Sequence, residues 1–481
     1  MKNILFILTD DQSYFALHRK CPDVITPNLD KLCDVGAVYE NCFCASPVCS
    51  PARASILTGA MPSFHGVHDW IISGNVNIKD LPAFSAERDP IKNNESVAID
   101  YLDGITTYTD VLADNGYDIA LSGKYHLGDT MKKRKGYTYW NVLLRGGCRY
   151  TSYDTYYNGE VLLQTKYVTD LVADNAIDFL KNHRTDKPFY LGVHFTAPHT
   201  PWDKEEHPEE IWNLYEGCDF DNVKYAPVHK DQVKNPFIGD TEKKRRELIR
   251  GYFTAVTAMD RAVGRILDEL KNQGLYDDTI VIFTGDNGMN VGQHGVWGKG
   301  NGTYPQNFYE ESVKVPLIVA GNGIEKRTVE DMVSHVDLFP TILELCGVSG
   351  SSDKPAGKSF AKTLRGEKFE REYVSVFSEY GAVRMIRNER YKLIKNYIDG
   401  QDLFFDLKED PFEEKNAIDS ERYSDIIKNM SEKLDEGFDE YKDALRDGKY
   451  QFPSGAGQEC LVSREDGRRA FRQNIEMYYK K

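Results

Sequence analysis

Five consecutive residues, Cys49-Ser50-Pro51-Ala52-Arg53, carry the densest chemical signal in the chain. Ser50 suits the N-cap of a helix, and Pro51 suits its first position, where an N–H has no partner to lose. Ala52 to Thr58 can continue the turn, and Gly59 supplies the stop. The pattern predicts a short helix with a cysteine at its head and Arg53, four residues on, folding back toward that cysteine. Unpaired N–H groups and the helix dipole add partial positive charge. Such an arrangement serves a nucleophile placed beside an anion site.

Further polar clusters each follow a short apolar run. Ile4-Leu8 leads into Thr9-Asp10-Asp11, and Tyr117-Leu121 into Ser122-Gly123-Lys124-Tyr125-His126. Phe189-Phe195 leads into Thr196-Ala197-Pro198-His199, and Thr279-Phe283 into Thr284-Gly285-Asp286-Asn287-Gly288. Continuous apolar runs of this length suit strands buried on both faces. Between them lie helical patterns, as in Val256, Met259, Val263, Ile266, Leu267 and Leu270, closed by Gly274. The expected fold is α/β, a large, mostly parallel sheet sandwiched by helices, whose ligands gather outside the carboxyl ends of the strands. The clusters fall at those ends. Asp10, Asp11, Asp286 and Asn287 offer oxygen alone, which suits a hard divalent cation, calcium or magnesium. Lys124, His126, His199 and Lys299 add positive charge, the multiple pairing that a buried anion requires.

With these residues in order, the chain resembles the type I, formylglycine-dependent sulfatases of the alkaline phosphatase superfamily. The resemblance runs from Leu5 and Thr9-Asp10-Asp11 through Cys49-Arg53, Gly123-His126, Ala197-His199 and Gly285-Gly288 to Lys299. It continues through Tyr309-Ile318, Asp337-Thr341, Asp402-Leu407 and Asp410-Pro411. It implies that Cys49 is oxidised to formylglycine by a maturation enzyme, of the formylglycine-generating or anaerobic sulfatase-maturating kind. It further implies that Asp10, Asp11, Asp286, Asn287 and the modified Cys49 hold the cation, usually calcium. Arg53 and Lys124 would position the formylglycine hydrate, one hydroxyl of which attacks sulfur. Lys124 and Lys299 would offset charge on the sulfate, and His199 and Lys299 would donate to the leaving oxygen. His126 would deprotonate the second hydroxyl, expelling sulfate.

The remainder of the chain bounds the setting. A net charge of −15 argues against a nucleic-acid partner, which needs a basic face. Lys243-Lys244-Arg245-Arg246 reads as a solvated helix face. Ile4-Leu8 is too short an apolar run for a secretory signal, and no stretch approaches a membrane span. Nine scattered cysteines read as reduced thiols, so the expected setting is cytoplasmic. The predicted organisation is a catalytic domain over 1–365 and a smaller domain over 366–481, with four hairpin-spaced strands, a helix near Tyr423-Leu445 and a charged tail. The tail after Pro453 could cover a neighbouring subunit in a homo-oligomer. His68, Asp69 and Trp202 are the expected contacts for a small sulfated substrate. A sulfated carbohydrate is preferred, with a phosphonate or phosphate ester as the alternative.

Overall fold

The computed structural model describes residues 2–88, 97–183, 186–234, 237–378, 383–397, 400–448, 455–462 and 470–472. Its centre is a ten-stranded sheet. Across the sheet the strands run Arg327–Ser334, Ala37–Phe43, Lys314–Gly321, Thr279–Gly285, Asn3–Asp10, Phe189–Pro198, Asp118–Gly123, Tyr137–Leu143, Tyr153–Tyr157 and Glu160–Gln164. The four apolar runs singled out in the sequence are neighbours here, Thr279–Gly285, Asn3–Asp10, Phe189–Pro198 and Asp118–Gly123, all mutually parallel. Their register aligns the chemistry: Thr9 pairs with Gly285, Asp10 with Pro198, and Gly123 with His194. Asp10, Asp286, Lys124 and His199 thus leave one edge of the sheet together.

Alternation along each strand feeds two cores. Ile4, Phe6 and Leu8 face the core shared with the Cys49–Thr58, Tyr108–Asp114 and Leu338–Cys346 helices. Leu5 and Ile7 face the other, covered by the Val168–Asn182 helix and the 31-residue Glu242–Asn272 helix. Burial on both faces is why these strands read as mostly apolar runs. Lys314–Gly321 runs antiparallel to both of its neighbours, so the sheet is mixed.

Beyond Arg365 the architecture changes. Val374–Ser378, Val383–Arg387, Tyr391–Asn396 and Leu403–Asp406 form an antiparallel sheet in sequence order. One face joins the main core through Val376, Met385, Ile394 and Phe405. The other, with Phe377, Ile386, Leu393 and Phe404, is covered by Met430, Leu434 and Phe438 of the Ser424–Tyr441 helix.

Two expectations need correction. The nucleophile helix begins at Cys49 itself, with Val48 as its cap and no side-chain capping bond, so Ser50 lies inside the first turn. Arg245 is buried against the Tyr225 ring and pairs with Glu242, because its position in the first turn of the long helix faces inward. The described part of the tail packs on its own chain: Gln458 bridges to Ile71, and Arg472 N–H donates to the Gly457 carbonyl. Among the described residues no helix is long and apolar enough to cross a membrane.

Candidate active site

The Asn3–Asp10 strand delivers Asp10 with no exposed surface, and Asp11 turns out of the sheet in a left-handed conformation (φ 62°). Asp286 and Asn287 leave the neighbouring strand, and Asp286 N–H donates to the Thr9 carbonyl at 2.9 Å, which locks the two strand ends together. Oxygens of Asp10, Asp11 and Asp286 lie within 4.8 Å of one another, all buried. Asn287 Nδ2 donates to Asp11 Oδ1 at 2.8 Å, so its own carbonyl oxygen points away from that bond. Asp10 Oδ1 and Asn287 Oδ1 are buried with no hydrogen-bond partner. Orphaned oxygens beside clustered carboxylates, with no sulfur or nitrogen donor in the set, fit a hard divalent cation.

Three cations face the three carboxylates. Lys124 Nζ lies 2.5 Å from Asp10 Oδ2, Lys299 Nζ 2.7 Å from Asp11 Oδ1, and Arg53 Nε 2.8 Å from Asp286 Oδ2. Arg53 Nη1 also donates to the Lys124 carbonyl, and its Nη2 has no hydrogen-bond partner. Burial drives Asp10 upward, but Lys124, His199, Lys299 and Arg53 together hold it well below the usual carboxylate range. Asp286 goes the other way, pushed up to about 7 by burial and by the neighbouring Asp10 charge. A cation among these oxygens would favour the ionised form of all three.

Cys49 sits at the head of its helix, 2% exposed, with Sγ 3.5 Å from His126 Nδ1. Burial pushes its thiol up, opposed by Lys124 and Lys299. His126 adopts φ 57°, and its Nε2 is 2.9 Å from the Ile71 carbonyl. A carbonyl only accepts, so Nε2 carries the proton and Nδ1 turns a lone pair toward residue 49. Burial holds the ring well below its ordinary value, helped by Lys124, and it stays neutral. His199 shows the mirror arrangement: Nδ1 lies 2.7 Å from the Thr200 carbonyl, and Nε2 faces Asp11 Oδ2 at 3.7 Å. Burial also keeps His199 below its ordinary value, against the pull of Asp11 and Asp10.

The ten residues expected for catalysis and metal binding therefore meet in one buried cluster. The three expected substrate contacts do not join it. Trp202 is 1% exposed, and its indole donates to the Pro198 carbonyl and packs on the Tyr252 ring, so it is a core side chain. His68 Nε2 lies 2.6 Å from the Arg446 carbonyl, and Asp69 Oδ2 accepts from the Gly457 N–H at 2.7 Å. Both side chains are turned toward the C-terminal segment.

Other contributors carried no sequence signal. Gly146 passes so close to His126 that a Cβ there would stand 2.0 Å from Nε2. Asn307 Nδ2 donates to the Lys299 carbonyl at 3.0 Å, and Ser312 ties Asn307 to Asn290, which steadies the loop bearing Lys299. A cavity of about 330 Å³ borders this region, lined in part by Ser85, Arg145, Gly147, Arg149 and Ser152.

A family model described as Sulfatase matches residues 2–348, and one described as N-sulphoglucosamine sulphohydrolase, C-terminal, matches residues 292–440. An N-acetylglucosamine-6-O-sulfatase of Bacteroides thetaiotaomicron is 26% identical, over 93% of this chain and 88% of its own. A choline-sulfatase of Rhizobium meliloti is 27% identical, over 87% of this chain and 83% of its own. Among solved structures, one in complex with its substrate D-glucosamine-2-N,6-O-disulfate matches with a TM-score of 0.76 at 24% identity, over 93% of this chain and 99% of that one. The phosphonate monoester hydrolase of Agrobacterium radiobacter matches with a TM-score of 0.66 at 20% identity, over 92% and 96%. At these identities the structural likenesses speak to the fold.

Proposed function

Since the chain belongs to the sulfatase family and is a sulfuric ester hydrolase, we propose that it removes sulfate from a small sulfated carbohydrate, with residue 49 acting as formylglycine. The observation that carries this reading is the buried contact of Cys49 with the basic nitrogen of His126, beside three carboxylates and three matching cations. A formylglycine hydrate would supply two hydroxyls on one carbon, one to take the sulfuryl group and one to expel it. Asp10, Asp11, Asp286 and Asn287 would hold calcium, with magnesium as the alternative, and the ion would supply charge for the sulfate oxygens.

The protein's own residues divide the remaining work. Arg53 and Lys124 fix the head of the nucleophile helix against the metal-ligand strands. Burial pulls Lys299 down, but Asp11 together with Cys49, Asp10 and Asp286 holds it above its ordinary range, so it stays charged and serves the sulfate oxygens. His199 must be protonated at Nε2 to donate to the leaving oxygen, and entry of an anionic ester favours that form. His126, neutral and basic at Nδ1, takes the proton that lets sulfate depart. Carbohydrate is supported by the N-acetylglucosamine-6-O-sulfatase relative and by the polar and cationic lining of the adjoining cavity. A phosphate ester brings more negative charge, and the three cations of this cluster are already matched by three carboxylates. We place the reaction in the cytoplasm, where the nine cysteines, all free thiols in the structure, would stay reduced.

The deciding experiment is peptide mass spectrometry across residue 49 on protein made with and without a maturation enzyme. Alongside it, sulfate release is measured from sulfated monosaccharides, choline sulfate and a phosphonate ester. Conversion by about −18 Da with release from a sulfated sugar is the expected result, chelator-sensitive and restored by calcium or magnesium. An unconverted thiol in fully active protein defeats the nucleophile assignment, and preference for the phosphonate defeats the substrate class.

A further inference from the structure

The carbonyl that sets the His126 tautomer belongs to a segment held by the far end of the chain. Ile71 is extended, and both of its edges are occupied. On one edge its N–H donates to Ser50 Oγ at 3.1 Å, and its carbonyl accepts from His126 Nε2 at 2.9 Å. On the other edge it forms a parallel bridge with Gln458: Gln458 N–H donates to the Trp70 carbonyl at 2.8 Å, and Ile72 N–H donates to the Gln458 carbonyl at 3.0 Å.

The Gln458 side chain, with no exposed surface, fastens the same loop further upstream. Its Oε1 accepts from the N–H groups of His68 (2.9 Å) and Asp69 (3.4 Å), and its Nε2 donates to the carbonyls of Gly66 and Cys460, both at 3.0 Å. Asp69 completes the clasp through its bond from Gly457 N–H. A buried amide with both ends fully bonded cannot turn without leaving backbone groups unpaired.

We propose that Gln458 is a positioning residue for His126, acting through the 66–72 loop and the Ile71 carbonyl, on the reading given above that His126 is the base. The clasp keeps the acceptor in line with Nε2, which fixes the proton there and leaves Nδ1 unprotonated toward residue 49. Removing the amide frees four backbone groups and lets the loop drift away from the ring. A shift of about 1 Å ends a hydrogen bond of this length. Both neutral tautomers of His126 then become populated, and only one of them can accept a proton at Nδ1.

The test uses the full chain and two readouts. The first is the ¹⁵N spectrum of labelled histidine in thiol-form protein, with the His126 signals assigned by a His126→Gln variant. Wild-type protein should show a single Nε2–H tautomer, and Gln458→Ala a mixture. The second is kcat for the matured enzyme, which should fall roughly tenfold in Gln458→Ala but not further when Gln458→Ala is added to His126→Ala. An unchanged tautomer overturns the proposal whatever the activity, and so does an equal loss in both backgrounds. Should Gln458→Ala fail to fold, Asp69→Asn weakens the same clasp with less cavity and faces the same two criteria. Full activity of His126→Ala would defeat the role given to the base, while the tautomer readout still decides the clasp.

Discussion

His126 can act as a base only if its ring cannot turn, and its surroundings enforce that from several sides. The Ile71 carbonyl accepts from Nε2–H, Cys49 faces Nδ1, and Gly146 lies close against the ring. A Cβ at Gly146 would fall 2.0 Å from Nε2 and 2.1 Å from Cε1, a distance that forces the ring aside. Gly146→Ala is expected to lower kcat about a hundredfold, as displacements near 1 Å do, while thermal stability changes little. Steady-state kinetics with a parallel melting curve checks this, and wild-type kcat would show that the ring tolerates the move. This dependence was not legible in the sequence, since a glycine needed for close approach looks like any loop glycine. Asp10, Asp11, Lys124, His126, His199, Asp286 and Asn287 were legible because each follows a mostly apolar run, and Cys49 and Arg53 because they stand in a helix-start pattern. Trp202, His68 and Asp69 misled for a related reason: residue type advertises chemistry, but only packing shows whether a side chain faces the pocket or another part of the chain.

At the scale of elements, the mostly apolar runs at residues 4–8, 117–121, 189–195 and 279–283 each became a central parallel strand, because burial on both faces leaves few polar positions, Asp118 and His194 among them, to blur the pattern. Outer strands such as Glu160–Gln164 carry exposed residues and gave no such signal. The helix that starts at Cys49 was placed two residues late because Ser50 resembles a cap, whereas its hydroxyl is used to hold Ile71. Its end was clear: Gly59 closes it in the left-handed region at φ 64°. A Cβ there would also stand 2.7 Å from Phe339 Cβ. Gly59→Ala should cost at least about 1–2 kcal/mol from backbone strain alone, with the Phe339 clash added. In a chain of this size that strain alone is a drop in Tm of about 1–2 °C, which the clash enlarges, readable by calorimetry. An unchanged Tm would mean the helix can end differently.

Across the whole molecule, folding buries many neutral imidazoles. Burial pushes His68 and His207 down to about 4, and His194 and His335 down to about 3. An unfolded histidine titrates near about 6.5. Below that pH the unfolded chain takes up protons that the folded chain refuses, so stability is full above about 6.5 and is lost progressively toward pH 4. Asp260 and Asp286, raised by burial to about 6 and about 7, act in the opposite sense, but His65 and His126, which burial also holds well below their ordinary value, add to the imidazole side. Tm should fall steadily between pH 7 and pH 5, and His335→Gln should flatten part of the slope; a Tm that stays level over this range would refute the account. Cys49 is enclosed in the same way, 2% exposed and ringed by side chains that arrive as late as Lys299. Its enclosure has a timing. At about 5–20 residues per second, synthesis takes roughly 10–50 s to travel from residue 49 to residue 299. If residue 49 is converted to formylglycine as proposed, a modifying enzyme would meet an open segment only in that interval, before the sheet can close. Folded thiol protein offered a maturation enzyme should stay unconverted, while a peptide spanning the site converts; efficient conversion of the folded form would contradict this. On the formylglycine reading proposed above, the fraction of active molecules would be set by a race with the ribosome, and faster synthesis would yield more protein that is correctly folded and permanently inert.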